Sequence, residues 1–133
     1  MTTITSPELA LFNAVFSYVQ SRVCKRVYDT PPDKQADCPF VVLGTEQTTS
    51  TENKSDISKR LFLTVHIWAT TEQRQELELM RAKLVNLTKI RAAGWRFIAR
   101  PDEELSDTIT DTTVPNSTFL HGTVTLVYDA YNL

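Results

Sequence analysis

Arg60-Leu61-Phe62-Leu63-Thr64-Val65-His66-Ile67-Trp68 alternates without a break. Successive side chains of an extended chain point to opposite faces, so Leu61, Leu63, Val65 and Ile67 share one face and Phe62, Thr64, His66 and Trp68 the other. Both faces carry large apolar groups. The segment therefore predicts a strand that sits centrally in a sheet or turns its second face to another subunit. Thr70 and Gln73 follow at capping-box spacing. Leu77, Met80, Leu84 and Leu87 then recur at helical intervals and predict a helix to about Thr88.

Upstream, Ser6-Pro7 reads as an N-cap followed by proline at the first helical position, where its missing N–H costs nothing. Leu9, Phe12, Phe16, Val19 and Val23 predict one apolar stripe on a helix from Pro7 to about Arg22. Val23 to Tyr28 is a candidate short strand, which Thr30-Pro31-Pro32-Asp33 must end. Phe40-Val41-Val42-Leu43-Gly44-Thr45 is short, apolar and β-branched, and predicts a buried strand. Glu46 to Lys59 is almost wholly polar and predicts a long mobile loop or hairpin tip between two strong strands.

Downstream, Gly94 closes a connection, and Trp95 to Arg100 predicts an edge strand with exposed arginines, ended by Pro101. Asp102 to Asp111 is acidic and reads as loop or strand edge. Phe119 to Tyr131 predicts the last strand, with Gly122 as a candidate bulge. Strands and helices are interspersed along one chain of 133 residues, which gives an α+β class and a single domain over residues 1–133.

Composition narrows the function. Hydrophobic residues make up 41% and charged residues 23%, a globular balance. The net charge of −2 provides no electrostatic footprint for gripping nucleic acid through its phosphates. The apolar stretches are too short to span a bilayer, and no export signal is visible, so no membrane partner is expected. Cys24 and Cys38 are then expected as reduced thiols in the cytoplasm.

No set of residues assembles into a reaction centre. His66 and His121 each lie mid-strand with no second ligand at metal-binding spacing, so each is read as a sheet-face histidine bonded to a neighbour or to solvent. Cys24 and Cys38 have no local base to activate them. The acids Asp102, Glu103, Glu104, Asp107 and Asp111 lack the spacing and central glycine of a calcium loop. The 3 glycines are isolated, so there is no phosphate-cradling loop. The expectation is a binding and assembly protein without catalytic residue, metal or cofactor. Two other classes compete with it: a small cellular α+β module that binds nucleic acid, and a small enzyme using Cys24 or Cys38 with His66 or His121.

The order of signals also carries a resemblance. Val27-Tyr28-Asp29-Thr30-Pro31, then Asp37-Cys38-Pro39-Phe40-Val41-Val42-Leu43-Gly44, a polar loop, the strand ending Val65-His66-Ile67-Trp68 and the helix opening at Thr71-Glu72 resemble the tail completion, or tail terminator, proteins of long-tailed bacteriophages. The resemblance spans the chain from the first helix to the last strand. It implies a small, mostly antiparallel sheet with two helices packed on one face. It also implies assembly as a ring, typically of six copies, on the finished tail tube, with the free chain either monomeric or already a ring. The implied partners are further copies of the chain, the tail tube protein and the head completion (stopper) protein, with DNA only passing through. The implied location is the tail–head interface of the virion, reached from the host cytoplasm. Within the polar loop, Glu46, Thr49, Asn53, Lys54, Asp56 and Lys59 are the candidate contacts to a partner or a neighbouring copy.

Overall fold

The computed structural model describes residues 5–32, 37–50 and 57–133, except for the side chains at 50, 57 and 58. Helix α1 (Pro7–Tyr18) starts as its sequence predicts: Leu9 N donates to Ser6 Oγ at 3.2 Å, and Pro7 occupies the first turn. The helix continues as one wider turn, Val19–Val23, closed by Cys24 N donating to Val19 O at 2.8 Å. The face it buries differs from the expected stripe. Ala10, Leu11, Val15 and Val19 lie against the sheet, Phe12, Phe16 and Val23 flank them, and Leu9 is 50% exposed. Small Ala10 and the row Leu11–Val15–Val19, spaced by four, let the helix approach closely. The bulkier phenylalanines are pushed to its sides.

The strands are β1 (Val27–Tyr28), β2 (Phe40–Ser50), β3 (Ile57–Thr70), β4 (Lys89–Ala92), β5 (Trp95–Ala99), β6 (Leu105–Asp111) and β7 (Phe119–Asn132). They form one sheet in the order β1-β2-β3-β7-β5-β4, and β6 pairs with β7 beside β5. Among the described residues only the β1–β2 pair is parallel. Helix α2 (Arg74–Val85) follows β3 through a 3₁₀ turn at Thr71–Gln73, where the expected capping box is present: Thr70 N donates to Gln73 Oε1 at 2.9 Å. Leu77, Met80 and Leu84 are its buried face, and Leu87 packs against the core just beyond it.

Strand β3 is central, between β2 and β7, as its two-sided apolarity predicts. Leu61, Leu63, Val65 and Ile67 are fully buried under the helices, and Phe62, Thr64, His66 and Trp68 are half-buried on the other face. Helix α1 touches β2, β4 and β5, whereas α2 touches β3 and β7. Because β2 and β4 lie toward opposite sides of the strand order, the sheet curls around α1. One cluster of buried side chains joins both helices to the sheet.

One strand was not visible in the sequence, and a second reads there as loop or strand edge. β4 contributes a single buried apolar residue, Ile90, and forms because Ala93 and Gly94 (φ 50° and 88°) close a two-residue turn onto β5. Positive φ at both central residues matches the strand twist, and glycine adopts it without strain. As a result β5 is an interior strand, not the expected edge. β6 forms by pairing alongside β7, with Leu105 and Ile109 left exposed. Within the polar stretch Glu46–Lys59 the described residues are strand: Glu46 to Ser50 extend β2 and Ile57 to Lys59 begin β3, while residues 51–56, the centre of the expected loop or hairpin tip, lie outside the described residues. Paired against Leu63, Phe62 and Leu61, the threonine-rich run gains a complete ladder, which outweighs its polarity.

Gly122 is not a bulge. The β3–β7 register runs through it unbroken, Ile67 opposite Gly122. Its missing side chain leaves room for Arg81 of α2, whose guanidinium reaches Asp107 O and Thr108 Oγ1 on β6. A Cβ at 122 would lie 2.8 Å from Arg81 and 3.2 Å from Leu77. Gly122→Ala is expected to destabilise the chain by about 1–3 kcal/mol through overpacking. Hydrogen exchange should be faster on β6 than on β3, and uniform protection of both would refute the tether.

Candidate assembly surface

The two helices cover one face of the sheet; the other is open over β1, β2, β3 and the first half of β7. On it an aromatic row crosses four strands. Tyr28 meets Phe40 edge-on at 6.0 Å, Phe40 stacks on Trp68 at 6.2 Å, and Trp68 stacks on His121 at 4.0 Å. His66 closes the row, its Nδ1 lying 2.8 Å from His121 Nε2. Gly44 makes the space for His66, since a Cβ there would lie 2.8 Å from the imidazole. Burial lowers the pKa of both histidines. The His66 ring lowers that of His121 further, and the Asp111 carboxylate opposes this. Neutral at pH 7, one ring donates its N–H to the other. The sequence places the two histidines fifty-five residues apart, and only the β3–β7 register brings them together.

At the far end of this face Asp129 is 1% exposed. Arg60 Nε donates to Asp129 Oδ1 at 2.7 Å and Arg60 Nη2 to Oδ2 at 3.2 Å, while Arg60 Nη1 reaches Glu103 at 2.7 Å. Arg100 adds a weaker approach to Asp129 at 3.8 Å. This network ties the turn after β5 to the sheet. Beyond it Arg96 lies over the Tyr131 ring at 5.1 Å. Lys89, Ile90, Arg91, Arg96 and Ile98 line a shallow basic depression of about 340 Å³.

The candidate contact residues fall in three places. Thr49 is exposed on β2, opposite Arg60. Glu46 and Lys59 turn toward α1. Lys59 Nζ and Thr48 Oγ1 both donate to Glu8, at 3.4 and 2.9 Å. Asn53, Lys54 and Asp56 lie outside the described residues. Burial and then the nearby Glu8 carboxylate push Glu46 up to about 7. Burial also works to raise Glu8, but hydrogen bonds from its own backbone N–H, Thr48 and Lys59 outweigh it and hold Glu8 below the ordinary value.

The sign of the Glu46 effect follows. Between the ordinary carboxylate value of 4.5 and about 7 the folded chain holds a proton that the unfolded chain releases. The stability this confers is complete at low pH and is lost as pH rises through 7. Glu46→Gln is expected to flatten that slope and, with solvent screening, to raise stability by roughly 1 kcal/mol at pH 8. Chemical denaturation of both chains between pH 5 and 8 checks it, and parallel curves would refute it.

Both cysteines are free; Cys24 Sγ contacts Arg26 O and Pro39 O, and burial raises the Cys38 thiol. Among the described residues no group of three or more His, Cys, Asp or Glu is placed to hold a metal, and no helix is long and apolar enough to cross a membrane. The surface consists of stacked rings, ion pairs and open strand edges, chemistry suited to holding another protein. Residues 9–87 match the family described as Tail completion protein gp17. The chain belongs to this family. No curated protein matches it. Among solved structures, the fold is similar to that of a chain in the "Virion of native gene transfer agent (GTA) particle", with a TM-score of 0.64, 11% identity and 96% of each chain covered. A tail completion protein is a structural component of the virion tail.

Proposed function

We propose that this tail completion protein closes the finished tail tube as a ring, six copies being the expected number, and forms the tail side of the head–tail joint. The observation that carries the reading is the family match over residues 9–87; the likeness to a chain of a phage-like particle supports the fold. The tail tube protein and the head completion protein are the proposed partners, with assembly in the host cytoplasm. DNA passes through the ring without being gripped, in keeping with the net charge of −2. A ring needs a patch that meets a different patch on the next copy. The open face and the β2–β3 pair around Glu46, Thr49 and Lys59 supply the proposed contacts.

Light scattering of the chain with and without tubes assembled from the tube protein of the same genome tests this. A species near six times 15.1 kDa, or particles at tube ends in electron micrographs, is the expected result. A monomer that ignores tube ends and binds DNA with steep salt dependence would replace the proposal with a nucleic-acid module.

A further inference from the structure

We infer that neighbouring copies join by strand pairing, β6 of one copy lying along the free stretch Gly44–Ser50 of β2 in the next; this rests on the ring proposed above. An open strand edge presents unpaired N–H and C=O groups, and another strand is the chemistry that satisfies them. Among the described residues the sheet has four such edges, and two are blunted. β1 is only 2 residues long. β4 has 4 residues and carries Lys89 and Arg91, the charges with which edges are kept single.

The other two edges are open. β6 runs for 7 residues without Lys, Arg or Pro. β2 has a partner on its outer side only at Val41 and Val42, which leaves Gly44–Ser50, irregular at Gly44–Thr45 where the β2–β3 register shifts and regular from Glu46 to Ser50. Among the described residues no backbone hydrogen bond reaches the outer side of either stretch. The outward N–H of Thr108 is held only by the side chain of its neighbour, Asp107, at 2.8 Å.

Position and side chains point to a second copy as the occupant. β6 flanks the first half of β7, and Gly44–Ser50 flanks the first half of β3, which runs beside the second half of β7. The two edges therefore lie at diagonally opposite corners of one sheet. One molecule cannot join them to each other, and their pairing between molecules is head-to-tail, as a ring requires. Leu105 and Ile109, 72% and 52% exposed, share the open face with Asp107 and Asp111. Continued onto β2 of the next copy, that row meets Gln47 and Thr49, whose amide and hydroxyl can donate to the two carboxylates.

Thr110→Pro is the first variant. Thr110 shares the outward N–H direction of Thr108, so proline there removes no bond to β7. The circular dichroism spectrum should be unchanged. Self-association, followed by sedimentation velocity from micromolar to millimolar chain, should weaken by roughly tenfold or more. The second measurement mixes an Ile109→Cys chain with a Gln47→Cys chain, whose side chains share the open face, both carrying Cys24→Ala and Cys38→Ala, under mild oxidation with tubes present. Cross-links between unlike chains support the inference even if the proline variant fails to fold. Unchanged association of a folded Thr110→Pro chain, or cross-links only between like chains, overturns it while the ring stands. A parent chain that neither self-associates nor caps tubes overturns the ring and the inference together.

Discussion

Arg60→Ala is expected to cost about 3–5 kcal/mol of stability, the usual penalty for removing one partner of a buried ion pair. The reason lies with Asp129 rather than with the arginine. Asp129 is 1% exposed and receives two of its hydrogen bonds from Arg60. Arg100, at 3.8 Å and 40% exposed, is too distant and too wet to replace them. Truncation leaves a carboxylate sealed from water with no close donor. For a chain of this size the melting temperature should fall by roughly 10–20 °C. Arg60→Ala combined with Asp129→Asn should recover part of the loss, because the charge left without a partner is gone. Thermal unfolding of the single and double variants decides the matter. A single variant within a few degrees of the parent would show that the network adds little.

The arginine pairing was not legible in the sequence, and the reason is general to this fold. Where one residue type repeats with a period, the element is readable. The alternation of Arg60–Trp68, the capping box at Thr70–Gln73 and the row Leu77–Met80–Leu84 all appear in the structure as the periodicity dictates. Where an element exists because of its neighbour, the period is silent. β4 carries one buried residue and β6 almost none; both are strands because a formed edge was available to them. The polar run from Glu46 to Ser50 is strand for the same reason. In α1 the stripe was displaced by a third of a turn, since the helix seats its smallest face, Ala10, rather than its most apolar one.

The assembly surface divides in the same way. Trp68, His66 and Phe40 were each marked by their strands. Their stacking with His121 depends on a β3–β7 register between segments fifty-five residues apart, which local pattern does not encode. The free edges of β2 and β6 depend in the same way on which strands pair with them, and no local pattern encodes that.

Phe97→Ala is expected to cost about 3–5 kcal/mol, and it tests whether the chain unfolds as one unit. Phe97 is fully buried on β5, on the side that α1 covers. The end of the sheet with β4, β5 and α1 is joined to the end with β6 and α2 along β3 and β7, and through α2 against the Val19–Val23 turn, where Tyr18 Oη donates to Lys83 O at 2.9 Å. Two folding units could in principle divide there. The buried cluster argues otherwise, since it runs from Leu11 and Phe97 through Leu63 and Leu126 to Leu77 and Leu84. A cavity at position 97 should therefore lower the stability of both ends alike, and we propose that residues 1–133 behave as one domain. Trp95 fluorescence, near the cavity, and hydrogen exchange on α2, far from it, should report a single transition shifted by the same amount. An α2 that keeps its parent protection while Trp95 reports early unfolding would separate the two ends. Stabilities of whole domains are only about 5–15 kcal/mol, so a shared loss of this size would leave the variant marginal as a monomer. Tube ends should then protect it, because a ring that binds only the folded chain draws the equilibrium toward that state.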